Sequence, residues 1–223
     1  MKIVISLGGS VLGFDAKRIK RFAEVIENIA EMHKVFVVVG GGKIARDYIG
    51  IAKILGADNT FCDYIGICIT RLNAMLLISA LKSAPKRVPK DFIEAYELSK
   101  VYDIVVMGGT FPGHTTDATS ALLAEFINAD LLLNATSVRG VYSEDPRINP
   151  RAERFERIKV SDLIEIVSRQ DVEAGGSYVM DLLSLKIIQR SRIKTIVFLG
   201  EPENIQRVLN GDFRDIGTLI EPE

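Results

Sequence analysis

Short runs of β-branched and other apolar residues recur at 3–7, 35–39, 104–107, 131–135 and 195–199, each too short for a helix. Longer segments of helical periodicity separate them. Between the first two runs, Ile19, Phe22, Ala23, Ile26, Ile29 and Ala30 recur at a spacing that collects them on one helix face. Similar stripes run over 44–55, 65–81 and 182–188. Strands that alternate with helices are joined by crossovers, so this order predicts a parallel sheet. No low-complexity linker or short repeat divides the 223 residues. The expectation is a single domain over 1–223, an α/β fold with an open, mainly parallel sheet covered by helices on both faces in a three-layer α/β/α arrangement.

The residues that follow the strands carry the functional signal. Run one leads into Gly8, Gly9 and Ser10, run two into Gly40, Gly41, Gly42 and Lys43, run three into Gly108, Gly109 and Thr110, and run four into Thr136 and Ser137. In a parallel sheet these turns share the carboxyl edge, where ligands bind and where glycines let backbone N–H groups approach phosphate. One glycine pair fits a tight turn as well as a binding loop. Three on one edge point to a polyphosphate.

Composition narrows the partners. The 28 Lys and Arg nearly balance 29 Asp and Glu, so no basic field suits a nucleic-acid polymer. Cys62 and Cys68 form neither a CxxC pair nor half of a zinc cluster and suit a reducing cytosol. The run 2–14 contains Gly8, Gly9 and Gly13, which argues against a signal-peptide core. No uninterrupted apolar stretch is read as reaching the roughly 18 to 20 residues of a membrane span. A cytoplasmic protein with no membrane partner is expected. With only His33 and His114 and no matching cysteine set, zinc hydrolysis and a protein-held metal are not expected. Asp162, Glu165 and Glu173 read as a solvated helix face.

The phosphate chemistry is narrowed by what is missing. The chain has no G-x-x-x-x-G-K-[ST] loop. Gly40 to Ala45 does satisfy G-x-G-x-x-A, with Asp58 and Asp63 about 20 residues on. The ribose-binding acid of a dinucleotide fold ends the second strand, however, and no β-branched run separates the helical stripe 44–55 from either aspartate. Phosphoryl transfer asks less of the protein: in-line positioning and positive charge around the migrating group. Lys43 and Arg46, three apart at the head of a helix, can both project towards the crevice. Their bland reading is a solvated pair, mildly unfavourable at the positive end of the helix dipole.

The chain resembles the amino acid kinase family and, within it, the archaeal type of UMP kinase. The resemblance runs from the segment 3–10 to the closing segment 217–222. Its specific parts are Gly-Gly-Gly-Lys-Ile-Ala-Arg at 40–46, Asp-Tyr-Ile-Gly-Ile at 63–67 with Thr-Arg-Leu-Asn-Ala at 70–74, Gly-Gly-Thr-Phe-Pro-Gly-His-Thr-Thr-Asp at 108–117, and the segment 137–146. It implies a kinase that moves phosphoryl from ATP to UMP with Mg2+, assembled as a homohexamer, with the acceptor side mainly in 40–120 and the ATP side mainly in 130–223. By the same resemblance Gly9, Ser10 and Gly42 cradle the ATP phosphates, with Arg46 beside the transfer path. Gly41 meets the UMP phosphate, and Asp63 with Thr110, Phe111, Pro112, Gly113, His114, Thr115 and Thr116 holds UMP. Thr136, Tyr142 and Asp145 line the ATP nucleoside pocket. Hydroxyls and a carboxylate can indeed bond ribose and uracil, and the Tyr142 ring can pack on adenine.

One position departs from the wider family. Where many members carry Lys two places before the first glycine pair, this chain has Ser6. Lys43 is then the first candidate for the cation at the transferred group, and Lys186 the second. Asp117 follows Thr115 and Thr116 at a helix start, where an acid complements the dipole; the resemblance makes it a catalytic group that organises the cations. Two other readings are a kinase of the same family with a carboxylate, carbamate or isoprenoid phosphate acceptor, and a non-catalytic nucleotide or oxyanion-binding oligomer.

Overall fold

The computed structural model describes residues 1–146, 148–170 and 179–222; Glu173 lies outside them. In chain order the elements are β1 (Lys2–Leu7), α1 (Gly9–Leu12), α2 (Ala16–Ala30), β2 (Lys34–Val39), α3 (Gly42–Ile54), α4 (Asn59–Ala80), α5 (Phe92–Ser99), β3 (Ile104–Met107), α6 (Thr116–Phe126), β4 (Leu131–Thr136), β5 (Arg157–Lys159), α7 (Val160–Gln170), α8 (Leu182–Ser191), β6 (Thr195–Leu199), α9 (Pro202–Leu209) and β7 (Gly217–Glu221). The strands form one sheet in the order β3-β2-β1-β4-β6-β7-β5. All neighbouring pairs are parallel except β6 with β7.

Strand alternation divides the core into two layers. Ile3, Ile5 and Leu7 of β1 pack with Phe22 and Ile26 of α2, Leu77 of α4 and Ile205 of α9. Val4, between them, turns to the other face with Phe36 of β2, Met107 of β3, Leu123 of α6, Leu163 of α7 and Leu185 of α8. Helices therefore cover both faces, as the periodicity predicts. Side-chain caps set where several of them begin: Asp15, Asp58, Asp91, Thr115 and Asp181 each accept an N–H from the first turn of the helix that follows.

Three features differ from the sequence reading. Strands β5 and β7 were not among the expected runs. β5 has three residues with only the middle one buried, too little for a pattern, and β7 joins the sheet antiparallel through Val197↔Thr218. The third is α4. Its 22 residues include an 18-residue stretch of mean hydropathy 1.5, so one helix does reach membrane-crossing length and apolarity. Its Ala74, Leu77 and Ile78 are nonetheless packed in the core. No strand separates α3 from α4. Asp58 caps α4 and Asp63 lies within it, so neither stands at a strand end as a dinucleotide fold requires.

Phe22 is fully buried on α2. Phe22→Ala is expected to lower unfolding free energy by about 3–5 kcal/mol, read as a reduced urea midpoint with an unchanged slope.

Candidate active site

β1 and β2 pair in register up to Leu7↔Val39, so the glycines after them leave the sheet side by side. Gly40 N–H donates to Leu7 O at 2.9 Å. A Cβ on Gly9 would lie 2.2 Å from Gly42 N and 2.4 Å from Gly40 O. Only bare backbone fits this contact. Gly42 also has φ +64°, the left-handed conformation that favours glycine.

Above these loops lies a cleft of about 370 Å3. The expected ATP-side residues Gly9, Ser10, Gly42, Arg46, Thr136, Tyr142 and Asp145 all line it. So do Gly41, Thr115, Thr116 and Asp117. The rest of the expected acceptor set, Asp63 with Thr110, Phe111, Pro112, Gly113 and His114, lies outside that lining. It is tied together all the same: Asp63 Oδ2 accepts Gly113 N–H at 2.8 Å, and the Phe111 and His114 rings lie 6.3 Å apart. Phe111 is 64% exposed. His114 Nδ1 is buried without a hydrogen-bond partner among the described residues.

The structure separates the candidate cations. The Lys43 ammonium pairs with Asp47 at 2.6 Å on a side chain 81% exposed, away from the cleft lining. Lys186 is exposed on α8. Among the described residues that line the cleft, Arg46 is the one cation, and its Nη2 donates to Ser10 Oγ at 3.2 Å.

Asp117 sits in the first turn of α6, capped by Thr115. Its carboxylate accepts the hydroxyl of buried Ser6 at 3.0 Å. The hydroxyl thus occupies the place expected of a lysine, and among the described residues no ammonium balances the charge there. Loss of water pushes the Asp117 pKa up to about 7; the Asp181 carboxylate adds to the rise, while Ser6 and Asn134 oppose it. The residue keeps some contact with solvent through the cleft, so water in the open site softens this effect. Asn134 Nδ2 is close enough to favour the charged form but makes no hydrogen bond of ordinary geometry.

The amino acid kinase family profile matches residues 1–199. The chain belongs to the amino acid kinase family. It is 60% identical to the uridylate kinase of Archaeoglobus fulgidus over 220 residues, 99% of this chain and 100% of that one. The crystal structure of that uridylate kinase superposes with a TM-score of 0.92 over 99% of this chain and 100% of its own. The crystal structure of UMP kinase from Ureaplasma parvum is 28% identical, with a TM-score of 0.81 over 99% of this chain and 98% of its own.

Within this amino acid kinase fold, four polar residues near the site were given no role by the sequence reading, although two of them, Thr70 and Asn73, fall in the 70–74 motif. Asp181 caps α8 and accepts the Thr115 hydroxyl at 2.5 Å, joining two helix starts. Asn134 lies in β4, hidden inside an apolar run. Thr70 and Asn73 interrupt the apolar stripe of α4, and that interruption is a legible signal: Thr70 Oγ1 accepts Gly109 N–H at 2.8 Å.

Asp117 gives a pH prediction. Its folded pKa of about 7 lies above the ordinary 3.8, so between those values the folded protein holds a proton that the unfolded chain releases. Raising pH across that window destabilises the fold. Asp117→Asn lacks this term. Its melting temperature relative to wild type is expected to rise by about 2–4 °C between pH 4.5 and pH 8, the shift for a stability change of about 1 kcal/mol in a chain this size. A pH-independent difference would remove the raised pKa.

Proposed function

We propose that the chain transfers the γ-phosphoryl group of ATP to the phosphate of UMP, giving ADP and UDP, a step of pyrimidine nucleotide synthesis. The observation that carries this reading is the glycine-floored cleft, which gathers the expected ATP-side residues with Gly41, Thr115 and Thr116. Identity over the full length of a uridylate kinase supports it. In the transfer, a UMP phosphate oxygen bonds to the γ-phosphorus as the bond to the β,γ-bridging oxygen breaks.

The family resemblance and the lining of the cleft support these roles. Gly9, Ser10 and Gly42 offer backbone to the ATP phosphates, Gly41 meets the UMP phosphate, and Arg46 supplies charge along the path between them. Thr136, Tyr142 and Asp145 receive the ATP nucleoside. Asp63 and the loop 110–116 receive UMP, and 40–120 and 130–223 divide into acceptor and donor sides. Asp117 orders the floor through Ser6. Lys43 and Lys186 serve only if their side chains swing in, and the exposed pairing of Lys43 with Asp47 is weak enough to allow it.

Mg2+ fits this site as a companion of ATP. It retains waters and binds mainly through substrate phosphates with one or two carboxylates. The cleft presents Asp117, Glu144 and Asp145. Bound there, the ion would neutralise phosphate charge that one arginine cannot.

A homohexamer in the cytoplasm completes the proposal. Ile51, Ile54 and Leu55 at the end of α3 and Phe61, Tyr64, Leu72 and Met75 on α4 are all more than half exposed. A second copy of the chain is the occupant that suits them, since a two-fold contact sets the same apolar surface on itself.

ADP release measured across UMP, dUMP, CMP, AMP, N-acetylglutamate, carbamate and isopentenyl phosphate should be fastest with UMP. A higher kcat/KM for a non-nucleotide, or binding of ATP and UMP without UDP, would overturn the assignment. Tyr142→Ala should raise KM for ATP well above any change for UMP. Asp117→Asn should cut kcat by about 100-fold, the scale for a misplaced group near the chemistry, with nucleotide binding largely kept. Light scattering should give a mass several times 24.6 kDa, and Met75→Glu should lower it.

A further inference from the structure

The cleft floor contains three consecutive glycines at 40–42. Such a segment rotates its peptide planes at little cost, so something must decide which way its N–H groups point. α4 supplies it. Asn73 is 8% exposed, and its Nδ2 donates to Gly40 O at 2.9 Å and to Gly41 O at 3.2 Å. No described peptide bond is cis, and in a trans peptide the N–H points opposite to the C=O. Tying the Gly40 carbonyl to Asn73 therefore turns Gly41 N–H away from α4. Tying the Gly41 carbonyl does the same for Gly42 N–H. Both glycines line the cleft, and neither N–H donates to another backbone group among the described residues.

We infer that Asn73 is a positioning residue, whose amide clamps two peptide planes so that Gly41 and Gly42 present their N–H groups to substrate phosphate. It touches no substrate itself. The requirement is chemically narrow: two carbonyls need two donors on one short, buried side chain, and an asparagine amide has them. Aspartate has the same shape and no donor, and would set a carboxylate against two carbonyl oxygens. Leucine would fill the space, leave the Gly40 carbonyl buried and unpaired, and leave the Gly41 carbonyl with only the long 3.4 Å bond from Ala45 N–H, a cost borne by the loop. One turn earlier on the same face, Thr70 holds Gly109 N–H, so α4 steadies the loops after β2 and β3 together.

This inference rests on the proposal that Gly41 and Gly42 meet phosphate, and the test separates the two. Resonances of the Gly41 and Gly42 amides in the full chain are followed, Gly41 on adding UMP or uridine and Gly42 on adding ATP or adenosine. KM for UMP and the inhibition constant of uridine are measured for wild type and Asn73→Ala. Expected are a Gly41 shift with UMP that uridine does not produce, a Gly42 shift with ATP that adenosine does not produce, and in Asn73→Ala a tenfold or greater loss of the preference for UMP over uridine, with uridine binding within twofold of wild type. A clamp that served stability alone would lower the melting temperature and leave that preference intact, which would overturn the inference. Silent glycine amides in the wild type would overturn the phosphate assignment and the clamp with it. Should Asn73→Ala not fold, Asn73→Ser, which reaches at most one carbonyl, must still lose at least threefold of the preference.

Discussion

Backbone meets backbone where the loops after β1 and β2 leave the sheet, and most of the site follows from that contact. Gly9 lies so close to Gly40, Gly41 and Gly42 that no side chain fits at Gly9. Parallel pairing of β1 with β2 brings the two loops together, and the glycines let them touch. The cleft floor is then made of peptide groups rather than side chains. Peptide N–H groups are fixed dipoles that need no counter-ion and no rotamer entropy, which suits the proposed pairing of a nucleoside triphosphate with a nucleoside monophosphate.

The same floor explains an unusual charge balance. Among the described lining residues, Asp117, Glu144 and Asp145 outnumber Arg46. On the proposed reading, a cleft for anions with more acids than cations needs backbone dipoles and a substrate-borne metal to supply the missing positive field. Ser6 fits that logic. By donating a neutral hydroxyl to Asp117 where a lysine is expected, it holds the carboxylate in place while adding no charge. Loss of water still raises the Asp117 pKa to about 7 against that hydrogen bond, and a cation bound beside the carboxyl would favour releasing its proton.

Much of this was legible in the sequence because it depends on residue types with few alternative uses. β-branched runs between helical stripes gave the central parallel strands and their carboxyl edge. Glycine clusters then marked two of the loops that line the cleft, those after β1 and β2. Two strands were missed for a physical reason: β5 is too short to show alternation, and β7 reads as a closing segment until β6 pairs with it antiparallel. The placement of Lys43 was illegible as well. A lysine at a helix start can reach forward to the crevice or back along its own helix, and Asp47, four residues on, takes it. Spacing alone cannot rank those two partners.

α4 shows why amphipathic reasoning underreads a helix with two obligations. One side buries Ala74, Leu77 and Ile78 and places Thr70 and Asn73 against the glycine loops. Another leaves Phe61, Tyr64, Leu72 and Met75 in solvent. Apolar residues on both sides blur the 3.6-residue signal and raise mean hydropathy to the level of a membrane span. Thr70 and Asn73, both buried polar residues of the helix, bear on that ambiguity. In lipid, threonine and asparagine have few partners; here each is held by a backbone loop that needs it. An exposed apolar surface and the residues that tie down the glycine loops are therefore carried by one helix.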